Sequence, residues 1–285
     1  MHSVSIVGCG YTGVRLAQRL EHAAVRIRGF ATRSASLAEI AAAGAEPVLL
    51  NLDETPPRID LDGQVVYYSV PPAAVGARDG RLERLLERAG GRPQRVVYLS
   101  TTGVYGDAQG AAVNEDTPPA PQTERAARRL AAETTLRHWA DVREVSWCIL
   151  RVPGIYGPGR LPLERLRRRN PAIDPRESAP GNRIHVEDLV SACVAAGAAP
   201  QAHRRIYNVT DGTTDSLTAF LQRVAGICGL PAPPLVSRAD AEGLASAISW
   251  SFLRESRRVE NRRMLDELGV RPAFADLDAG IRASL

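Results

Sequence analysis

Three glycines near the start of the chain, Gly8, Gly10 and Gly13, stand at the spacing Gly-x-Gly-x-x-Gly, and their neighbours decide what that spacing can do. The apolar run Val4-Ser5-Ile6-Val7 precedes them, and Val14 to Leu20 follows with helical amphipathic spacing. Strand, glycine turn and helix in this order make a site for a dinucleotide. Gly8 allows the tight turn, Gly10 lets the backbone approach a pyrophosphate, and Gly13 lets the helix pack against the strand. Tyr11 and Thr12 open that helix, whose unpaired N–H groups and partial positive charge favour phosphates. A purely structural glycine turn is the alternative reading.

A second group of reactive side chains is Tyr98-Leu99-Ser100-Thr101-Thr102-Gly103-Val104-Tyr105-Gly106-Asp107. It leaves an apolar run at its C-terminal end, where ligands bind in open α/β sheets. Hydroxyls there can hydrogen-bond a substrate carbonyl or alcohol. A third position concerns the cofactor. The run Val25 to Ala31 ends at Thr32-Arg33-Ser34. An acidic residue about 20 residues beyond the glycines binds the ribose 2′-hydroxyl of NAD. Here Thr32 and Arg33 take that place. A carboxylate would repel a 2′-phosphate, whereas arginine pairs with one through two hydrogen bonds. NADP is therefore the expected cofactor and NAD the alternative. The other reading of Arg33 is a solvated loop charge.

These residues need strands and helices to hold them. Ser36 to Gly44 reads as an Ala-rich helix ending on glycine. Pro47 to Leu52 reads as the third strand, with Asn51-Leu52-Asp53 beside the adenine. Gln64 to Val70 is the fourth, stopped by Pro71-Pro72, and Arg81 to Ala89 a charged amphipathic helix. Arg95 to Ser100 and Val145 to Leu150 are the fifth and sixth strands. Apolar strands alternating with helices imply an α/β fold, a doubly wound parallel sheet covered on both faces. Ser69, Val70 and Pro71 after the fourth strand, Ser100 on the fifth and Pro153 after the sixth join the candidate cofactor contacts.

Composition narrows the function classes. At 285 residues, 44% hydrophobic and 24% charged, the chain can bury a large core. No stretch approaches the roughly 20 unbroken apolar residues of a membrane helix. The first strand begins at about Val4, so no signal peptide is expected. Cys9, Cys148, Cys193 and Cys228 lie far apart, with no C-x-x-C and no paired His. No metal site follows from them; they read as buried thiols in a reducing, cytoplasmic compartment. A net charge of +4 and 5% aromatics argue against nucleic-acid binding. The chain has no lysine, so Schiff-base and lysine general-base mechanisms are excluded.

Three later stretches complete a pattern: Leu150-Arg151-Val152-Pro153-Gly154-Ile155-Tyr156-Gly157-Pro158-Gly159, Arg183-Ile184-His185-Val186-Glu187-Asp188-Leu189, and Ile206 to Asp211. With the glycine turn and the hydroxyl group, in this order, the chain resembles the short-chain dehydrogenase/reductase superfamily. The likeness is to its extended branch of nucleotide-sugar epimerases and dehydratases. It implies a Rossmann-type domain over residues 1–160, whose sheet also receives 184–211. It further implies a small substrate lobe from 161–183 and 212–285, and a homodimer as a frequent assembly. In that family the hydroxyl after the fifth strand works with a tyrosine and a lysine, and the register places it at Thr101. His185 and Asp188 read as the cap and brace of a helix.

The tyrosine and lysine are missing. In Pro121-Gln122-Thr123-Glu124-Arg125-Ala126-Ala127-Arg128-Arg129-Leu130-Ala131-Ala132-Glu133 the flanks fit the family, but Arg125 stands at the tyrosine position and Arg129 at the lysine position. Four residues apart, they share one helix face. Arg129 keeps the positive charge. Arg125 has no proton to exchange near neutral pH, so its expected use is to clamp a carboxylate or phosphate. Proton transfer is worth about 10²–10⁴-fold, so another carrier is needed. Tyr105 and Tyr156 are the candidates, with packing as their alternative role.

In the remaining lobe, Arg165 to Arg169 is a candidate guide for an acidic substrate or a solvated helix face. Thr214 to Cys228 reads as a helix, and Ala247 to Leu253 as part of a lobe helix or strand. Arg257, Arg258 and Asn261 are candidate anion contacts. The expected function is an NADP-dependent oxidoreductase or epimerase acting on a small anionic or nucleotide-linked substrate. The alternative is an NADP-binding redox sensor without turnover.

Overall fold

A computed structural model describes residues 3–21, 25–244, 246, 250–251 and 253–285. Seven strands build its central sheet: β1 (Ser3–Val7), β2 (Arg26–Ala31), β3 (Glu46–Leu49), β4 (Val65–Tyr68), β5 (Arg95–Thr101), β6 (Ser146–Val152) and β7 (Arg205–Asn208). All neighbours run parallel, in the order β7-β6-β5-β4-β1-β2-β3. The chain winds outward from β1 to β3, returns past β1, and winds outward again to β7. This is a Rossmann-type doubly wound sheet. Its winding reverses between β1 and β4, and such a switch point opens a crevice at the carboxyl ends of the strands.

The helices are α1 (Tyr11–Glu21), α2 (Leu37–Ala42), α3 (Gly80–Arg88), α4 (Glu124–Val142), α5 (Leu163–Arg167), α6 (Val186–Ala198) and α7 (Leu217–Ile227), with short ones beyond. Strand side chains alternate between faces, which is why the strands read as unbroken apolar runs. On β4, Val65 and Tyr67 enter a core with Leu16 and Leu20 of α1 and Leu189 and Cys193 of α6. Val66 and Tyr68 enter the opposite core, with Leu82 and Leu85 of α3 and Leu136 of α4. Asp79, Thr123 and Ser216 start α3, α4 and α7 by accepting backbone N–H bonds. A third core joins Tyr156, Leu166, Phe220, Leu221, Val224, Leu277 and Ile281.

Several boundaries move from the sequence reading. β3 stops at Leu49, not Leu52, because the chain turns: the Asn51 side-chain oxygen accepts the Asp53 N–H at 3.0 Å. A 3-10 turn at Ser34–Ser36 precedes α2. α7 starts after its cap at Ser216 rather than at Thr214. The expected element Ala247 to Leu253 lies outside the described residues at 247–249 and 252.

Near its end the chain returns to the sheet edge. Arg258–Val259 pairs in parallel with Ala112–Val113. The Ser256 carbonyl accepts N–H bonds from Ala108 and Gly110, and its own N–H donates to Asp107 at 2.7 Å. Arg257 donates to the Gly106 carbonyl, Arg258 to that of Gly110, and Asn261 to that of Thr210. The anion contacts expected of these three side chains are replaced by backbone bracing.

Under the crevice, Arg151 of β6 meets Glu133 of α4 at 2.8 Å, each side chain 3% exposed. Glu133 also accepts the Ser100 hydroxyl at 2.5 Å. The Arg151 guanidinium lies over the Tyr105 ring, whose hydroxyl donates to Asn208 at 2.8 Å. Removing one partner of a buried pair strands the other charge. Arg151→Met should therefore cost about 3–5 kcal/mol, and adding Glu133→Leu should restore most of it. Urea unfolding of the two single variants and of the double variant checks this; simple additivity of the two single losses would refute the coupling.

Candidate functional site

A cleft of about 810 Å³ opens at the carboxyl ends of the strands, within the size range of small-molecule sites. β1 delivers the glycine turn to its floor. Gly8 adopts φ +90°, and the N–H groups of Gly8 and Cys9 both reach the Phe30 carbonyl. A Cβ at Gly8 would sit 2.9 Å from the Val70 nitrogen, so only glycine fits. A Cβ at Gly10 would meet nothing within 4 Å, because that position faces the open cleft. Gly13 does not line the cleft. It lies behind it, where a Cβ would approach Ile6 to 3.0 Å and prevent α1 from seating on β1.

One end of the cleft is formed by the turns after β2, β3 and β4. Thr32, Arg33, Asn51, Leu52, Ser69, Val70 and Pro71 all line it, as the sequence reading expects, with Ser36, Asp53 and Arg81 beside them. Arg33 is exposed and makes no ion pair among the described residues. Arg81 grips Asp53 through two bonds of 2.7 and 2.6 Å and donates to the Pro71 carbonyl. That grip holds the Asp53 carboxyl below the usual carboxylate range.

At the other end β5 and β6 present Ser100, Thr101, Val152 and Pro153, with Ile155 beyond and Arg129 of α4 above. The Thr101 oxygen accepts the Gly103 N–H at 3.1 Å, so its own O–H remains to be donated. Ser100 turns down to Glu133. Arg129 is anchored through one nitrogen to the Val70 carbonyl at 3.3 Å, the Leu99 carbonyl at 3.2 Å and the Tyr98 hydroxyl at 3.1 Å. It is a fixed positive charge tied to the ends of β4 and β5.

The structure does not bring Arg125 or Tyr105 into the cleft. Arg125 is half-buried, and burial lowers its guanidinium pKa, an effect opposed by the nearby Glu255. The expected clamp therefore does not line the cleft. Tyr105 is buried at the end of a 3-10 turn with its hydroxyl bonded to Asn208; burial pushes its pKa up. Tyr156 packs edge-on against His185 and Phe220 in the third core. Neither tyrosine lines the cleft.

His185 and Asp188 act as cap and brace: His185 Nδ1 accepts the Glu187 N–H, and Asp188 accepts those of Ala273 and Phe274. In the arginine run, Arg165 donates to the Pro171 carbonyl and Arg167, Arg168 and Arg169 are exposed. Sequence reasoning missed Arg81 and Arg160 as cleft residues. Arg81 looked like one charge of an amphipathic helix, and nothing in its spacing marked it. Arg160 carried a faint signal, three residues after the Tyr156-Gly157 turn. Among the described residues, no three His, Cys, Asp or Glu side chains are placed to share a metal ion, and no helix is long and apolar enough to cross a membrane.

Cys9 touches the cleft, but burial pushes its thiol up to about 12, so thiolate chemistry is not available there. Cys148 and Cys193 are buried and Cys228 is only partly so. Native alkylation near neutral pH should modify Cys228 first and leave Cys9 intact, as peptide mass mapping would show; rapid labelling of Cys9 would contradict its burial.

Residues 81–210 match the family model described as NAD dependent epimerase/dehydratase family. The chain is 27% identical over 290 residues to "Protein YeeZ" of Escherichia coli (strain K12), covering 97% of each. It is 32% identical to a solved, functionally unknown conserved protein from Silicibacter pomeroyi DSS, with a TM-score of 0.85 over 99% of this chain and 98% of that one. A UDP-glucuronic acid 4-epimerase from Bacillus cereus in complex with NAD shares the fold at 17% identity, with a TM-score of 0.77 over 99% and 97% of the two chains.

Proposed function

We propose that this chain, whose residues 81–210 match the model of the NAD dependent epimerase/dehydratase family, binds NADP for hydride transfer, as an oxidoreductase or epimerase, on a small anionic or nucleotide-linked substrate. One observation supports this reading above others. The cleft sets Arg33, Arg81, Arg129 and Arg160 against the single acid Asp53, which Arg81 already engages. Such a surplus suits a ligand with a 2′-phosphate beside its diphosphate, followed by an anionic substrate.

The residues fit such a ligand. The open side of Gly10 gives the diphosphate room beside Tyr11 and Thr12, and Asn51 to Asp53 with Ser69 to Pro71 form the adenosine end. Arg33, with Thr32 and Ser36, is positioned for the 2′-phosphate. When bound, the nicotinamide would supply hydride acceptance or donation near Thr101, Arg129 and Pro153. Thr101 donates its free O–H to the reacting oxygen. Arg129 stabilises negative charge there without exchanging a proton. Proton transfer runs through water held at Thr101, because among the described residues that end is lined by no His, Asp, Glu or Cys. The same observation favours the second reading, nucleotide sensing without turnover. In this proposal residues 1–160 with 184–211 form the nucleotide-binding domain, and 161–183 with 212–285 the substrate lobe. The protein would be cytoplasmic, with its cysteines free, and assemble as a homodimer.

Titration calorimetry separates the cofactors. Arg33→Ala should weaken NADP by about 10–100-fold, the scale of a charge-assisted pair, and leave NAD unchanged; equal losses for both would overturn the 2′-phosphate assignment. Exchange of a labelled nicotinamide hydride with sugar acids and aldehydes tests turnover. Thr101→Val should lower that exchange about tenfold or more, and exchange that survives the substitution would remove Thr101 from the mechanism. Tight NADP binding with no exchange across the screen would favour the sensor.

A further inference from the structure

Arg160 belongs to no element of the sheet, yet it lines the same cleft as the glycine turn. It is held there by Tyr11, the first residue of α1. The Arg160 guanidinium carbon lies 3.8 Å from the centre of the Tyr11 ring, and that of Arg15 lies 4.0 Å from it. Two guanidinium groups cannot occupy one face of a ring at those distances, so Tyr11 is sandwiched between them. The two arginines differ in their partners. Arg15 donates to the Tyr11 carbonyl and faces Glu187 at 3.7 Å. Arg160 is exposed and has no carboxylate partner among the described residues.

The approach of the Arg160 loop is built into the backbone. The Tyr11 hydroxyl donates to the Pro158 carbonyl at 3.0 Å, and the Arg160 N–H closes a turn on Gly157 at 2.9 Å. Gly157 has φ +150°, and a Cβ there would lie 2.7 Å from the Tyr11 hydroxyl oxygen. A guanidinium stacked by its face keeps its N–H edge available in the ring plane. Arg160 therefore presents a fork of donors beside Gly10 and Tyr11, from a loop that leads into α5 and the third core.

We propose that Arg160 binds the diphosphate of the dinucleotide, and that the Tyr11–Arg160 stack is the latch by which bound nucleotide fastens the 157–160 loop over the cleft. This rests on the nucleotide-binding reading above and adds to it a residue outside the glycine turn. The latch recognises the diphosphate, common to NAD, NADP and ADP, and is indifferent to the 2′-phosphate. Arg33 has the opposite preference.

Four probes expose that difference: NADP, NAD, ADP (a diphosphate with no 2′-phosphate) and 2′-AMP (a 2′-phosphate with no diphosphate). In Arg160→Gln the affinities for NADP, NAD and ADP should fall about 10–100-fold, with 2′-AMP unchanged. Tyr11→Leu, which removes the stack, should lose affinity for the same three. Limited proteolysis adds a second readout: NADP should protect the 157–160 loop in the wild type and fail to do so in Arg160→Gln. Unchanged affinities in Arg160→Gln, equal loss of 2′-AMP, or protection that persists in the variant would overturn the latch while wild-type binding keeps the nucleotide reading. A wild type that binds none of the four probes would overturn both.

Discussion

The buried pair of Arg151 and Glu133 fixes the geometry on which the candidate site depends. α4 crosses the sheet on one face, and its rotation decides which of its side chains look into the crevice. Glu133 sets that rotation by meeting Arg151 from β6 and the hydroxyl of Ser100 from β5. Arg129 lies one helical turn earlier and comes to rest on the carbonyls of Val70 and Leu99. A charge pair taken out of water gains its attraction only when its geometry is held closely and its remaining valences are filled. Here the pair continues over the Tyr105 ring to Asn208, with one Arg151 nitrogen left without a hydrogen bond, and β5, β6, β7 and α4 share one polar seam. Thr101 sits directly above it.

The cleft above the seam is positive, and its positive charges are held by different means. Arg129 is tied to strand-end carbonyls, Arg81 to a carboxylate, and Arg160 to an aromatic face. Each mode leaves a planar, permanently charged group in a defined place. A chain with no lysine can keep a charge at every such position, but it gives up the ammonium group, whose proton can be removed when burial lowers its pKa. That exchange favours binding over proton chemistry.

Much of the fold was legible in sequence because its signals are local. A glycine that needs φ +90° and one whose Cβ would project into the cleft both announce themselves by spacing, and so did most of the residues that line the two ends of the cleft. The doubly wound parallel sheet followed from apolar runs alternating with helices. Side-chain direction beyond the sheet edge was not legible. Arg125 and Arg129 share a helix face, but the helix rises about 6 Å between them. That rise carries Arg125 from the strand ends to the neighbourhood of Glu255, a residue 130 positions away whose approach no local pattern encodes. Tyr105 illustrates the same limit. A single 3-10 turn after Thr101 rotates it inward, toward an asparagine on the last strand of the sheet.

The return of residues 255–260 to the loop after β5 has a consequence for synthesis. Asp107 and Ser256 are 149 positions apart, so this contact is of very high sequence separation and forms late. A chain growing from its N-terminus holds its glycine turn, its threonine and its anchored arginine long before Ser256 exists. Through that interval the Ala108–Val113 stretch has no strand to lie beside. Every residue that lines the cleft lies between Val7 and Arg160, so a growing chain holds that lining before the arm that covers the loop after β5 has been made.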